Sequence, residues 1–165
     1  MSEREDSEIG ATAPGEYGPA PSSVTIAETT FAAAWNVQGD AELFLFAETA
    51  RQVFGLMLPS VPNTTSRTDA LTALWLGPKS WLLVAPEDST LADFAGKRAT
   101  INGARGALFD ITASCVAWTV GGPRAAMVLA KGCPLDFHPR AFAEGACAQS
   151  LFGHVNVLFY KRDAS

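Results

Sequence analysis

The chain of 165 residues contains few of the side chains that carry out chemistry. It has two histidines, His138 and His154, and three cysteines, Cys115, Cys133 and Cys147. An odd number of cysteines without a C-x-x-C pair argues against a disulfide framework and against a thiolate zinc site. Two histidines without supporting carboxylate spacing predict no metal site. We therefore expect buried or partly buried free thiols and no metal centre.

Long apolar runs and an excess of basic residues are also missing. No stretch reaches the roughly 18 apolar residues that span a bilayer, so we expect no membrane partner. The net charge of −5 argues against nucleic acid as a partner, because such a protein needs a basic face. The N-terminus, Met1-Ser-Glu-Arg-Glu-Asp6, resembles neither a secretory signal nor an Arg-rich transit peptide. We therefore expect a cytoplasmic protein.

What the chain does contain is enough apolar material for one packed domain. Hydrophobic residues make up 48% of it, with ten Phe and four Trp, which excludes a fully disordered chain. Five acidic residues and one base lie in the first 22 positions, among several Pro and Gly. We predict a disordered acidic tail over residues 1–22 and a single α+β domain over residues 23–165. That domain is nearly neutral, which mildly favours a surface covered by a partner.

Hydrophobic spacing predicts mixed secondary structure. Apolar residues recur at helical spacing between Ala41 and Phe54, and Asp40 can cap that helix. The segments 71–76 and 81–85, joined through Gly77-Pro78-Lys79, predict an antiparallel hairpin. Hairpins mixed with crossover helices favour an α+β fold with largely antiparallel sheets. The other predicted strands are 32–38, 107–111, 115–120, 147–151 and 155–160, and the other predicted helices are 88–94 and 124–130.

The segment Gly121-Gly-Pro-Arg124 follows a strand and opens a helix, which is a suitable context for an anion at a helix N-terminus. It matches neither G-x-G-x-x-G nor a P-loop. A plain strand-to-helix turn is the alternative, in which Arg124 could still bind a carboxylate.

Cys133, Asp136 and His138 lie within six residues, and together they suggest an activated thiol nucleophile. The alternative is a rigid Pro-bounded loop whose Asp and His side chains bind backbone groups. His154, between Gly153 and Val155, is expected at the edge of a hairpin.

Three sequence blocks resemble the gamma-subunit family of heterotetrameric sarcosine oxidase over about residues 25–160. The first is the hairpin Leu74-Trp-Leu-Gly-Pro-Lys-Ser-Trp-Leu-Leu83. The second is Val120-Gly-Gly-Pro-Arg-Ala125, which leads into Val128-Leu-Ala-Lys-Gly-Cys-Pro-Leu-Asp136. The third is His138-Pro-Arg-Ala-Phe142 with Gly145-Ala-Cys-Ala-Gln149. The run from Leu129 to Gln149 is the most specific.

The resemblance implies a fold like the folate-binding domain of the glycine-cleavage aminomethyltransferase. It also implies a complex that oxidises sarcosine to glycine with hydrogen peroxide and passes the one-carbon unit to tetrahydrofolate. FAD, FMN, NAD, zinc and tetrahydrofolate are then expected in the partner alpha, beta and delta subunits. This chain would hold no cofactor and no catalytic residue, and would pack against its partners. The surface around Trp75–Leu83 is the interface that we expect.

Two departures from the wider pattern leave alternatives open. Aminomethyltransferases have an Asn-Asp pair in the loop after the corresponding helix, and here it reads Leu135-Asp136. The resemblance therefore makes Asp136, with Arg124, the candidate folate contacts of a standalone aminomethyltransferase-like protein; the Cys133–His138 thiol enzyme is the other alternative. The family also continues into a further strand and an amphipathic helix, whereas this chain stops at Ser165, so we expect either a shortened sequence or a lost element.

Overall fold

A computed structural model describes residues 15–17, 23–87, 89 and 93–162. The described residues form ten strands and three α-helices, in the order β1 (Gly15–Tyr17), β2 (Val24–Thr29), β3 (Phe31–Gln38), α1 (Phe44–Phe54), β4 (Thr65–Arg67), β5 (Thr72–Gly77), β6 (Ser80–Pro86), α2 (Phe94–Gly103), β7 (Ala107–Asp110), β8 (Ala117–Gly121), α3 (Ala125–Leu129), β9 (Cys147–Phe152) and β10 (Val155–Tyr160). A short 3₁₀ turn at Thr112–Ser114 lies between β7 and β8.

The largest sheet has the strand order β4-β5-β6-β3-β7, and all of its pairings are antiparallel. β5 and β6 lie between β3 and β4, so the connection through α1 crosses over two strands. The connection from β6 through α2 to β7 crosses over β3 in the same way. The predicted α+β fold with antiparallel sheets and crossover helices is confirmed.

The two helices cover one face of this sheet. Trp35, Trp81 and Leu83 point to that face and are at most 3% exposed. Phe46 of α1 is fully buried and its ring lies 6.1 Å from that of Trp81, in a stacked arrangement. Apolar residues at alternating strand positions meet a helical stripe, so the core lies between the sheet and the helix layer.

The opposite face of the same strands is also apolar but only partly covered. Leu74 is buried there, Leu82 and Val84 are half-buried, and Phe109 is 44% exposed. The expectation that the surface around Trp75–Leu83 forms an interface is therefore wrong for Trp81 and Leu83, which face the helices. The side chains of Trp81 and Leu83 are each 1% exposed, because successive residues of a strand point to opposite faces and theirs is the helix-covered one.

Helix boundaries differ from those predicted. α1 begins at Phe44, not Ala41, and the Asp40 carboxylate instead accepts a hydrogen bond from the backbone N–H of Glu42 at 3.1 Å. A helix was predicted over residues 88–94, whereas α2 begins at Phe94 and runs to Gly103. Residues 88 and 90–92 lie outside the described part. Asp93 caps α2 by accepting from the N–H of Gly96 at 2.9 Å, from a left-handed backbone.

Two smaller antiparallel sheets complete the described fold. One has the order β1-β2-β8, and the other is the β9–β10 hairpin, which turns through Gly153 in a left-handed conformation. Strand β1 lies inside the predicted tail; there the backbone pairs with β2, which differs from the expected disorder. The rest of the predicted tail, residues 1–14 and 18–22, lies outside the described residues.

The succession of strand, helix and hairpin occurs twice in the chain. β3, α1, β4 and β5 form the first instance, and β8, α3, β9 and β10 form the second. The two hairpins meet at their first strands, where Thr64 and Ala146 form a β-bridge and the Cys147 N–H donates to the Asn63 carbonyl at 2.9 Å. This contact fixes the end of the loop between α3 and β9. That loop contains Cys133, Asp136 and His138, which the sequence suggested as site residues.

Candidate functional site

The turn into α3 is shaped by a close approach to the start of β2. Gly122 has a φ of +100°, and a Cβ there would lie 2.8 Å from the Ser23 carbonyl oxygen. The backbone N–H of Arg124 donates to that same oxygen at 3.1 Å. Any side chain at Gly122 would collide with this oxygen, so the glycine serves the packing of the turn.

Arg124 precedes α3 and is exposed to solvent. The helix has only five residues, Ala125–Leu129, where the sequence predicts 124–130. So short a helix aligns few peptide dipoles toward an anion. The Arg124 guanidinium forms no ion pair with any described residue.

Asp136 and His138 bind the backbone of their own loop. The Asp136 carboxylate accepts a hydrogen bond from the His138 N–H at 2.8 Å, and His138 Nδ1 accepts one from the Arg140 N–H at 3.2 Å. Both side chains are otherwise exposed. These bonds are those that the rigid-loop interpretation predicts.

Cys133 turns away from solvent, and its side chain is 5% exposed. Its sulfur lies 3.4 Å from the Ser150 hydroxyl oxygen on β9 and accepts from the Leu135 N–H at 3.4 Å. No hydrogen bond joins Cys133 to His138 in the described part of the chain. The geometry of a nucleophile with its base, which a thiol enzyme requires, is not formed by these residues.

A shallow, open groove of about 530 Å³ runs along this loop. It is lined by Ala126, Ala130 and residues 133–138, so Asp136 lies in it while Arg124 does not. The structure therefore does not bring the two candidate folate contacts together in this groove. One oxygen of Asp136 is already engaged by the loop, and an open groove would not enclose a pteridine ring.

The remaining candidates lie apart from this loop. Cys147 is fully buried, and burial raises the pKa of its thiol; burial also raises the pKa of the half-buried Cys115. His154 is exposed in the β9–β10 turn.

Within residues 23–162, apart from positions 88 and 90–92, no three His, Cys, Asp or Glu side chains come together as metal ligands. None of the described helices is long and apolar enough to cross a bilayer.

Several exposed apolar side chains were missed by sequence reasoning. Phe44 is 81% exposed, Met57 73%, Val116 72% and Val155 64%. The run Leu43-Phe44-Leu45 in the sequence indicates exposed apolar residues, because a helix buries one stripe and three consecutive large apolar residues cannot all lie on it. Exposed apolar side chains mark an interaction surface only where they lie together, so each of these residues is a candidate and not yet a surface.

Comparison with known proteins gives one consistent result. The model of the family described as "Sarcosine oxidase, gamma subunit family" matches residues 38–163. The chain is 34% identical over 108 residues to sarcosine oxidase subunit gamma of an Arthrobacter species, which covers 65% of this chain and 52% of that protein. It is 32% identical over 145 residues to the same subunit of Corynebacterium sp. (strain P-1), which covers 87% of this chain and 70% of that protein. The chain thus spans about half of the first relative's length.

A solved structure shares the fold. The chain is similar to one from the heterotetrameric sarcosine oxidase of Corynebacterium sp. U-96 in complex with pyrrole 2-carboxylate. The TM-score is 0.74 at 27% identity, and the match covers 90% of this chain and 74% of that one.

Proposed function

Because the chain belongs to the sarcosine oxidase gamma subunit family, we propose that it works as the gamma subunit of a heterotetrameric sarcosine oxidase, beside alpha, beta and delta subunits. The observation that carries this proposal is the similarity, over 90% of the chain, to a chain of such a heterotetramer.

Its role in the complex is structural. The partner subunits hold FAD, FMN, NAD and zinc, oxidise sarcosine to glycine with hydrogen peroxide, and transfer the one-carbon unit to tetrahydrofolate. The side chains of Cys133, Asp136 and His138 support this assignment, since each is engaged in hydrogen bonds that shape one loop. The gamma subunit then contributes packing surface and no reacting group.

We further propose a cytoplasmic location and a part in sarcosine catabolism and one-carbon metabolism. The three free cysteines suit a reducing compartment. Fractionation of the native cells, followed by detection of the chain, tests the location. Growth on sarcosine as sole carbon source, with and without the gene, tests the pathway.

The central experiment is purification of the tagged chain from its native extract. We expect it to retain flavin-bearing partners, visible by flavin absorbance, and sarcosine-dependent peroxide formation in the same fractions. A chain that never retains a flavin-bearing partner would contradict the proposal.

The folate alternative has its own readout. If the chain were a standalone aminomethyltransferase-like protein, the purified chain would bind tetrahydrofolate at micromolar concentration, and Asp136→Asn and Arg124→Gln would weaken that binding. We expect a flat titration up to millimolar folate for the isolated chain. Saturable micromolar binding that these substitutions abolish would favour the alternative.

A further inference from the structure

The C-terminal part of the chain buries little apolar surface of its own. Every member of the main core cluster lies between Ala33 and Leu108. Between Ile111 and Arg162, where the described part ends, the buried hydrophobic residues are Cys133, Phe142, Cys147 and Ala148. The same stretch exposes six large apolar side chains, which are Val116, Trp118, Met127, Leu151, Phe152 and Val155. A segment with this balance gains most of its stability from whatever covers it.

One contiguous surface in this part begins on α3. Arg124 directly precedes α3, Met127 lies within it and Lys131 follows it, at intervals of three and four residues. The N–H of Val128 donates to the Arg124 carbonyl at 3.0 Å, so the helical path includes Arg124 and the three residues share one side of it. The N–H of Lys131 still donates to the Val128 carbonyl at 3.1 Å, which continues the helical path. Met127 is 52% exposed between the two bases.

The β9–β10 turn extends that surface. The Gly153 N–H donates to the Gly132 carbonyl at 2.7 Å, which ties the turn to the residue after Lys131. A Cβ at Gly132 would lie 2.8 Å from the Phe152 ring, so the ring packs directly over this glycine. Phe152 is 39% exposed and its strand partner Val155 64%. We call Arg124, Met127, Lys131, Phe152 and Val155 the α3–hairpin face.

The charge of this region is opposite to that of the whole chain. Residues 111–165 contain five bases, Arg124, Lys131, Arg140, Lys161 and Arg162, against Asp136, Glu144 and Asp163, which leaves +2 in a chain of −5. Arg124 and Lys131 form no ion pair with any described residue, whereas Lys79 is paired with Asp40 at 2.9 Å. Both bases are therefore available to carboxylates from outside.

Apolar side chains beside uncompensated bases are typical of a protein interface whose partner carries the complementary charge. We infer that the α3–hairpin face docks onto an apolar surface, flanked by carboxylates, of another subunit of the complex. The inference rests on the proposed function. A protein partner is favoured over nucleic acid or an anionic membrane, because the net charge of −5 repels polyanions at long range.

Charge reversal tests the electrostatic half of the inference. Arg124→Glu/Lys131→Glu is compared with Lys97→Glu/Arg98→Glu on α2, which makes the same charge change outside the face. Binding of each full chain to the remaining subunits of the complex is followed by interferometry. We expect the first pair to slow association about tenfold at low salt. The difference should vanish near 0.5 M salt, where screening acts within roughly 4 Å.

Truncation tests the apolar half. Met127→Ala/Val155→Ser should speed dissociation about tenfold or more. Thr100→Ala, which truncates an exposed side chain of α2 outside the face, should leave the dissociation rate unchanged. Circular dichroism confirms that each variant is folded.

The possible failures are distinguishable. If wild-type chain does not bind the other subunits, the proposed function is refuted and this inference with it. If wild type binds and both face variants bind like their controls, only the inference is refuted. Other outcomes are that the wild-type chain associates with itself, or binds DNA or phosphatidylserine vesicles. If the face variants abolish such binding, the face has another occupant and the inference is refuted.

Discussion

The indole N–H of Trp81 donates a hydrogen bond to the carbonyl oxygen of Pro59 at 2.8 Å, with both residues buried. Trp81 lies on β6, the middle strand of the five-stranded sheet, and Pro59 belongs to the loop that follows α1. This bond satisfies a carbonyl that water cannot reach. It therefore anchors the loop after α1 on the sheet that α1 covers.

Replacing Trp81 by Phe should be costly. The substitution leaves the buried Pro59 carbonyl without its donor and removes ring volume beside Phe46. We expect the free energy of unfolding to fall by about 2 kcal/mol or more in urea denaturation. Trp118→Phe is the matched control, because its side chain is 45% exposed, and it should change stability by less than about 0.5 kcal/mol. Equal losses for the two variants would contradict this role of the hydrogen bond.

Gly39→Ala should destabilise the protein through a single neighbour. A Cβ at this position would collide with the Phe46 ring, whose atoms are its three nearest contacts. We expect a cost of about 1–3 kcal/mol from overpacking. In a Phe46→Leu background the ring is gone, so adding Gly39→Ala should cost about 0.5 kcal/mol or less. Gly103→Ala, which meets nothing within 4 Å on α2, should be neutral or stabilising.

An undiminished penalty for Gly39→Ala in the Phe46→Leu background would show that backbone strain, and not the ring, excludes a side chain at Gly39. The four unfolding free energies of this double-mutant cycle are needed at one temperature, since the coupling is their difference.

The sequence predicted the elements that have strong hydrophobic patterns. α1 was found because Phe46, Ala50 and Phe54 recur every four residues and are all buried. α2 was misplaced because only Ile101 is buried within it and it contains two glycines. Its start depends on Asp93, whose left-handed backbone is set by tertiary context and not by a local pattern. Short strands such as β1 and β4 depend in the same way on a partner distant in sequence.

The candidate site shows a similar limit. Neighbouring Cys133 and His138 suggested a reactive pair, yet the sulfur turns to Ser150, which is 17 residues farther along the chain. Only the packing of β9 against the loop decides that direction. Asp136 and His138 behaved as local turn chemistry predicts, because their hydrogen bonds span two residues.

Glu48 should titrate far below an ordinary glutamate. Hydrogen bonds from Arg51 first, and then from Gln52, lower the pKa of Glu48 from 4.5 to about 2. Because the pKa is lower in the folded than in the unfolded chain, the ion pair stabilises the fold above pH 4.5. That contribution is lost as the pH falls toward about 2. NMR titration of the carboxyl carbon should give a midpoint near 2.

Arg51→Met should move the Glu48 midpoint up toward 4.5, since the largest cause of the shift is removed. Lys79→Met is the control, because it breaks the separate pair with Asp40 and should leave Glu48 unchanged. A wild-type midpoint already close to 4.5 would mean that this exposed pair is not formed in solution.

Cys133→Ser distinguishes a structural thiol from a catalytic one. The sulfur is buried and lies within hydrogen-bonding distance of Ser150, and a serine hydroxyl can occupy the same place at a modest cost of roughly 1 kcal/mol for burying a more polar group. Because the proposed gamma subunit holds no reacting group, sarcosine oxidation per mole of assembled flavin should equal that of wild type. The native chain should also react with iodoacetamide at Cys133 far more slowly than the chain unfolded in urea, since alkylation requires access to the sulfur. Loss of turnover in a complex that still assembles with its full flavin content, together with rapid alkylation of that one thiol, would instead establish Cys133 as a nucleophile.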